Sequence, residues 1–245
     1  MMQRIRAESD PPAKGRNLTH RLLETVGQQI VTGHYAGRPF PTEAELAASH
    51  GVSRSITREA VKMLTAKGLL SARPRLGTSV QPEARWNLFD PDVLRWLLER
   101  PASVPLLRQF NQLRRSIEPT AAGLAAQTAD AASLAGIADG LTRMQHAERG
   151  HDDPLEADIA FHVAVLRASN NPFFAQFRDV VGTALRFSIQ YTNRIQGRTA
   201  DVAAHGAVLA AIRDRDAVRA ERAMLRIIDD VSSLIEGSAG GGPGA

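Results

Sequence analysis

The chain has 245 residues, 43% of them apolar and only 5% aromatic, and it contains no cysteine. That length accommodates two modest domains, the aromatic-poor composition favours helix packing over a sheet-built core, and the lack of thiols excludes disulfides and thiolate metal sites. Lys and Arg outnumber Asp and Glu by 13 to 7 over residues 1–85, against 17 to 19 over the remainder, so the overall charge of +4 comes from the first third; a cationic module joined to a nearly neutral body suits a polyanion binder.

No apolar run reaches the roughly 18 residues that cross a bilayer. The start, MMQRIRAESDPPAKGRN, lacks the apolar stretch of a secretory signal. A soluble, cytoplasmic protein with no membrane partner is expected. Residues 1–16 are polar, carry Pro11-Pro12 and are expected to be disordered. Residues 17–82 read as one module. Leu22, Val26 and Ile30 share one face of a helix that begins at Leu18, with Gly33 as its stop. Thr42 and Glu45 have capping-box spacing and open a short helix that ends at Gly51. Ser53 caps the next helix, which runs to about Lys67 and stops at Gly68. LLSARPRLGTSVQP then reads as two short strands around a tip at residues 73–77. Three helices and a hairpin in this space make a winged helix-turn-helix.

Residues 83–101 form a junction that holds both tryptophans and is expected to pack the two domains together. Residues 102–236 are helical almost throughout, with breaks near 128–133, 149–154, 169–172, 196–200 and 214–216. That predicts an antiparallel all-α bundle of about six helices, followed by a flexible tail over 237–245. The fold class is therefore mainly α.

The helix opened by Ser53 carries Arg54, Arg58 and Lys62 at steps of four, while Ile56, Ala60, Val61 and Leu64 take the opposite face. In a helix-turn-helix the second helix presents its N-terminal residues to base edges in the major groove. Arginine can clasp guanine with two bonds, and lysine serves a phosphate. Arg54, Arg58, Lys62, Lys67, Arg73 and Arg75 face a single acid, Glu59, across residues 54–75. Each cation alone is more often part of a solvated face; six in this frame point to double-stranded DNA, with Arg73 and Arg75 on the wing.

FPTEAELAASHGVSR, ITREAVKMLTAKGLL and RPRLGTSV resemble the winged-helix domain of GntR-type bacterial transcription regulators, over about residues 18–82. The resemblance implies that Ser53, Arg54 and Arg58 touch operator DNA and that the wing, with Arg75, Gly77 and Thr78, enters the minor groove. Ala44 stands where many members carry Arg, which implies one contact fewer.

In PLEADIAFHVAVLRAS, Asp158 and His162 lie four residues apart on the apolar face of Leu155, Ile159 and Leu166. On another helix His205 lines up with Val202, Val208, Leu209 and Ile212. A carboxylate in that position is costly unless it is paired or coordinated. Two readings are open: an Asp158–His162 core pair with a satisfied His205, or a three-ligand site for a divalent metal with open positions. Arg114 shares an inward face with Leu107, Phe110, Ile117 and Ala121. It either clamps a ligand carboxylate or is neutralised by Glu118 one turn on.

RRSIEPTAAGLAA, ADIAFHVAVLRASNNPFF and HGAVLAAIRDRDAVRAERAM resemble the FCD-type effector domain of the family's FadR branch. The resemblance implies a zinc- or nickel-type ion on Asp158, His162 and His205, with the fourth ligand position falling at Ile227, which cannot ligate. It also places Arg186 and Asn171 at the effector, although Arg186 projects to a more polar side and Asn171 has the position of a helix cap before Pro172. The junction WNLFDPDVLRWLLER resembles the members that respond to sugar acids of the galactonate or gluconate type. A non-enzymatic, ligand-responsive repressor is expected, a homodimer on a pseudo-palindromic operator, released by a small carboxylic acid. The alternatives are a regulator that responds to a different small carboxylic acid, or a metal-dependent hydrolase or lyase on the same three ligands, for which no general-base motif or nucleophile elbow is found.

Overall fold

A computed structural model describes residues 13–73, 77–101, 103–196 and 200–240. The chain divides after Leu97 into two compact units.

The first unit opens with α1 (Ala13–Val31), so residues 13–16, expected without structure, form the helix's first turn. Helices α2 (Glu43–His50) and α3 (Arg54–Ala66) follow, then β1 (Leu70–Arg73) and β2 (Gly77–Val80). The two strands pair antiparallel, with Arg73 opposite Gly77 and Leu70 opposite Val80. Local chemistry dictates each boundary. Thr42 accepts from the Glu45 N–H while the Glu45 carboxylate accepts from the Thr42 N–H, closing both ends of the capping box. Gly51 ends α2 in the left-handed region at φ +63°, which a side chain there would resist. Ser53 then caps α3 by accepting from the Ile56 N–H. Leu22, Leu23, Val26 and Ile30 of α1, Leu46 of α2 and Ala60, Val61 and Leu64 of α3 are buried, and α3 packs against both α1 and α2.

The junction does something the sequence reading did not assign to it. Residues 83–85 make one 3₁₀ turn and α4 spans Pro91–Leu98; up to Leu97 this segment belongs to the first unit. Lys67 Nζ sits 2.8 Å from both Asp90 and Asp92, tying the end of α3 to the start of α4. Trp96 is buried on α1, where its indole N–H donates to Glu24 at 2.9 Å. A Cβ on Gly27 would stand 2.4 Å from the Trp96 ring, so only glycine lets the ring lie flat on the helix.

The second unit consists of α5 (Val104–Thr128), α6 (Ala131–Glu148), α7 (Pro154–Ala168), α8 (Pro172–Gln176), α9 (Arg178–Gln196), α10 (Val202–Arg213) and α11 (Ala217–Gly240). Seven helices are thus described where about six were expected. The extra boundary falls at Phe177, whose N–H bonds back three residues to Phe174 rather than four, tightening the chain between α8 and α9. The expected flexible tail is shorter too, since residues 237–240 continue α11. Ala121, Ala122, Ala125 and Ala126 make a small-residue face on α5 that packs close to α11. Phe161, Val165, Val208, Ile212, Met224 and Ile228 fill the centre. Asp153 and Asp201 cap α7 and α10, the helices that carry the candidate ligands.

Helices α6 and α7 meet backbone to backbone at Gly140, where a Cβ would lie 2.8 Å from Phe161 Cα. Gly140→Ala should therefore push α7 outward and cost about 1–3 kcal/mol. Urea titration followed by circular dichroism checks this; a midpoint equal to that of the parent would contradict the close approach.

Candidate nucleic-acid interface and metal centre

Helix α3 presents a cationic edge. Ser53 holds the helix start, and its hydroxyl is 2.9 Å from that of Ser55. Arg54, Arg58 and Lys62 are exposed. Arg58 leans on Glu43 at 3.4 Å and Lys62 on Glu59 at 3.8 Å, but exposed pairs of this kind contribute little and leave the cations available to a polyanion. Arg73 is exposed at the end of β1, Gly77 opens β2 at φ +83°, and Thr78 pairs across to Ala72. Arg75 lies outside the described residues. Lys67 is the correction on this face: its side chain is 12% exposed and is held by two aspartates, so it is a structural cation rather than a reader.

The second unit brings Asp158, His162 and His205 together. All three are buried, and their ligand atoms lie within 4.8 Å of one another. His205 Nε2 is 3.0 Å from Asp158 Oδ1, His162 Nε2 is 3.4 Å from it, and the two Nε2 atoms are 3.4 Å apart. Ligand atoms about 2.1 Å from one ion stand roughly 3.0–3.4 Å from each other. Asp158 Oδ1, though this close to two imidazoles, has no hydrogen-bond partner of acceptable direction. The three atoms thus cluster in one buried spot, with the two Nε2 atoms also within hydrogen-bond reach of each other.

Tautomers reinforce this geometry. His205 Nδ1 is 2.7 Å from the Asp201 carbonyl, which can only accept, so that nitrogen carries the proton and Nε2 presents a lone pair. His162 Nδ1 is 2.5 Å from the Glu118 carboxylate and likewise donates. Two lone pairs and a carboxylate oxygen then face each other, an arrangement that a cation relieves. Without a metal that cation is a proton. Burial works against the charged imidazole of His162, but the Glu118 and Asp158 carboxylates outweigh it and raise His162 to about 9. Burial likewise opposes charge on Glu118, yet Arg114 and His162 hold it at about 2. Asp158, also opposed by burial, is held well below the usual carboxylate range by the two histidines. A metal entering here displaces a proton. The residue set fits a divalent ion held by two imidazoles and one carboxylate, with positions left open.

Glu118 is the residue that sequence reasoning under-assigned. It was legible only as the neutraliser of Arg114. That pairing is present, with Arg114 Nε 2.5 Å from Oε1 and Nη2 3.3 Å from Oε2. The same carboxylate also orients His162 across the gap between α5 and α7, which no spacing within one helix reveals. Phe161 sets its ring edge-on to His205 at 5.0 Å and to His162 at 5.9 Å, walling the centre. Ile227 is buried in the apolar core and offers no donor atom.

The remaining residues expected at the effector sit elsewhere in the bonding pattern. Asn171 caps α8, its Oδ1 accepting from the Phe173 N–H at 3.0 Å. Arg186 pairs with Glu156 and is 43% exposed.

A cationic winged helix joined to a helical bundle with a buried polar centre defines a DNA-reading regulator with a sensory domain. The sequence matches the family model for bacterial regulatory proteins of the gntR family over residues 18–80 and the FCD domain over residues 109–230. It is 35% identical over 215 residues to the galactonate operon transcriptional repressor of Escherichia coli K12, covering 86% of this chain and 94% of that one. It is 32% identical over 223 residues to the uncharacterised HTH-type transcriptional regulator YieP of the same strain, covering 89% and 96%. Among solved structures, Lar, which controls expression of the Listeria monocytogenes agr system, superposes with a TM-score of 0.53 at 17% identity, covering 93% of this chain and 99% of that one. That similarity concerns the fold alone. The chain belongs to the GntR family of transcription regulators and carries an FCD effector domain.

Carboxylates that orient metal-binding histidines contribute roughly 10–100-fold in metal affinity. Glu118→Gln should weaken Zn²⁺ binding by about tenfold at unchanged helicity. Competition against a chromophoric chelator measures it, and an unaltered dissociation constant would remove Glu118 from this role.

Proposed function

We propose that this regulator represses genes of sugar-acid metabolism and is released from DNA by its acid. It acts in the cytoplasm as a homodimer, one α3 helix in each half-site of a pseudo-palindromic operator. Arg54 at the start of α3 reads a base edge. Arg58 and Lys62 hold phosphates, and the wing residues Arg73, Arg75, Gly77 and Thr78 follow the neighbouring groove. In the bundle, Asp158, His162 and His205 hold a zinc- or nickel-type ion, which offers its open positions to oxygen ligands. Arg114 keeps Glu118 charged and in line with His162, and its remaining nitrogen, Nη1, has no partner of its own and faces the acid. Arg186 and Asn171 stand further out, where their pairing with Glu156 and capping of α8 shape the surroundings.

The observation that carries this reading is the clustering of three buried ligand atoms inside a bundle appended to a cationic reading head. The choice of a sugar acid draws support from the galactonate operon repressor, whose similarity extends through both domains. A hydrolase built on the same three ligands is not favoured, since the similar proteins are named as regulators. An acid can move the operator equilibrium only by binding one arrangement of the dimer better than the other.

The test uses duplexes selected from a random pool by the parent protein. Fluorescence anisotropy should show D-galactonate or D-gluconate releasing the selected duplex. Arg54→Ala should reduce discrimination between selected and scrambled duplexes by about tenfold or more, in line with roughly 1–3 kcal/mol for a bidentate base contact. Undiminished discrimination would contradict the assignment of α3, and failure of every sugar acid to release DNA would contradict the effector class.

A further inference from the structure

Three buried side-chain polar atoms on α5 have no partner, Arg108 Nε, Asn111 Oδ1 and Arg114 Nη1, and the last two are opposite in kind. Arg114 Nη1 is a donor and Asn111 Oδ1 an acceptor. Both residues are 2% exposed. They lie three positions apart on one helix, hence on neighbouring parts of one face, with Asn111 about 4.5 Å further along the axis at 1.5 Å per residue. The orientation of the Asn111 amide follows from its neighbour. Ser232 Oγ gives its single proton to the Ile228 carbonyl at 2.9 Å. It can only accept from Asn111, and it does so from Nδ2 at 3.3 Å. The amide oxygen is thereby turned away from Ser232 and left without a donor. A buried amide oxygen in this state costs free energy unless something donates to it.

We infer that Asn111 is a specificity residue for the effector, accepting a hydrogen bond from a hydroxyl on the acid's carbon chain. The inference rests on the sugar-acid reading above. Along α5 the order is Asn111, Arg114, Glu118, with Glu118 bonded to His162. An acid whose carboxylate lies between Arg114 Nη1 and the three-ligand centre, and whose chain follows α5 toward its N-terminus, meets Asn111. A hydroxyl at that level satisfies Oδ1, whereas a methylene there leaves Oδ1 unpaired. A site built this way rejects the analogue that lacks the hydroxyl more strongly than an apolar pocket rejects an added one. Polyhydroxylated acids are therefore favoured over plain carboxylates of the same length.

The experiment is calorimetry on the full chain loaded with Zn²⁺, titrated with D-galactonate, D-gluconate, hexanoate and glycolate. The parent should bind an aldonate more tightly than hexanoate. Asn111→Leu keeps the size and removes the acceptor. It should weaken aldonate binding about tenfold, the loss of one buried hydrogen bond, while glycolate, too short to reach Asn111, keeps its affinity. Equal aldonate affinity in the variant overturns the inference alone and leaves Asn111 a packing residue or the host of a buried water. A parallel loss of glycolate also overturns it, because Asn111 would then act on the whole pocket. Should the parent bind neither aldonate, the sugar-acid reading falls and this inference with it. Asn111→Ser, too short to reach the same hydroxyl, carries the test if the leucine variant does not fold.

Discussion

The sensory domain is organised around a chain of charges taken out of water. Arg114, Glu118, His162, Asp158 and His205 are each no more than 5% exposed, and each has a charged or polar atom within 3.4 Å of the next. Desolvating one such ion costs several kcal/mol. The set is tolerable only because every carboxylate touches a cation or a cation's place. Remove one member and the others are stranded, which is how a polar cluster that is neutral for stability as a whole can be strict about its parts. The surrounding architecture serves this arrangement. Capped α7 and α10 fix the two histidine backbones, Phe161 closes one wall, and Gly140 lets α6 seal against α7.

The reading head follows a different logic. Its cations are exposed and weakly paired, so their charge is available for counterion release on a polyanion. Lys67 is the exception, half-buried between Asp90 and Asp92. Together with Trp96 on Gly27 and Glu24, it makes α4 a part of the head rather than a loose tether. The chain thus uses its cations in two ways, exposed to solvent along α3 and, at Lys67 just past its end, as a structural counter-ion.

Much of this was legible in the residues. Thr42, Glu45, Gly51 and Ser53 signal helix ends by their own chemistry, and the structure uses each of them in that way. Asp158, His162 and His205 announced themselves as polar groups on apolar faces. What escaped were relations between distant segments. Lys67 looks like its neighbours until residues 23 and 25 positions later fold back on it. The Glu118–His162 bond spans 44 positions. Asn111 sits in FNQL with nothing local to mark its oxygen as unpaired. The boundary at Phe177 falls within PFFAQFR, where no glycine or later proline interrupts the pattern.

Anomalous diffraction from crystals of the Zn²⁺-loaded protein at the zinc edge tests the central claim most directly. It should show one peak per chain, about 2.0–2.2 Å from Asp158 Oδ1, His162 Nε2 and His205 Nε2. A peak elsewhere, or no anomalous peak at these three atoms, would contradict it.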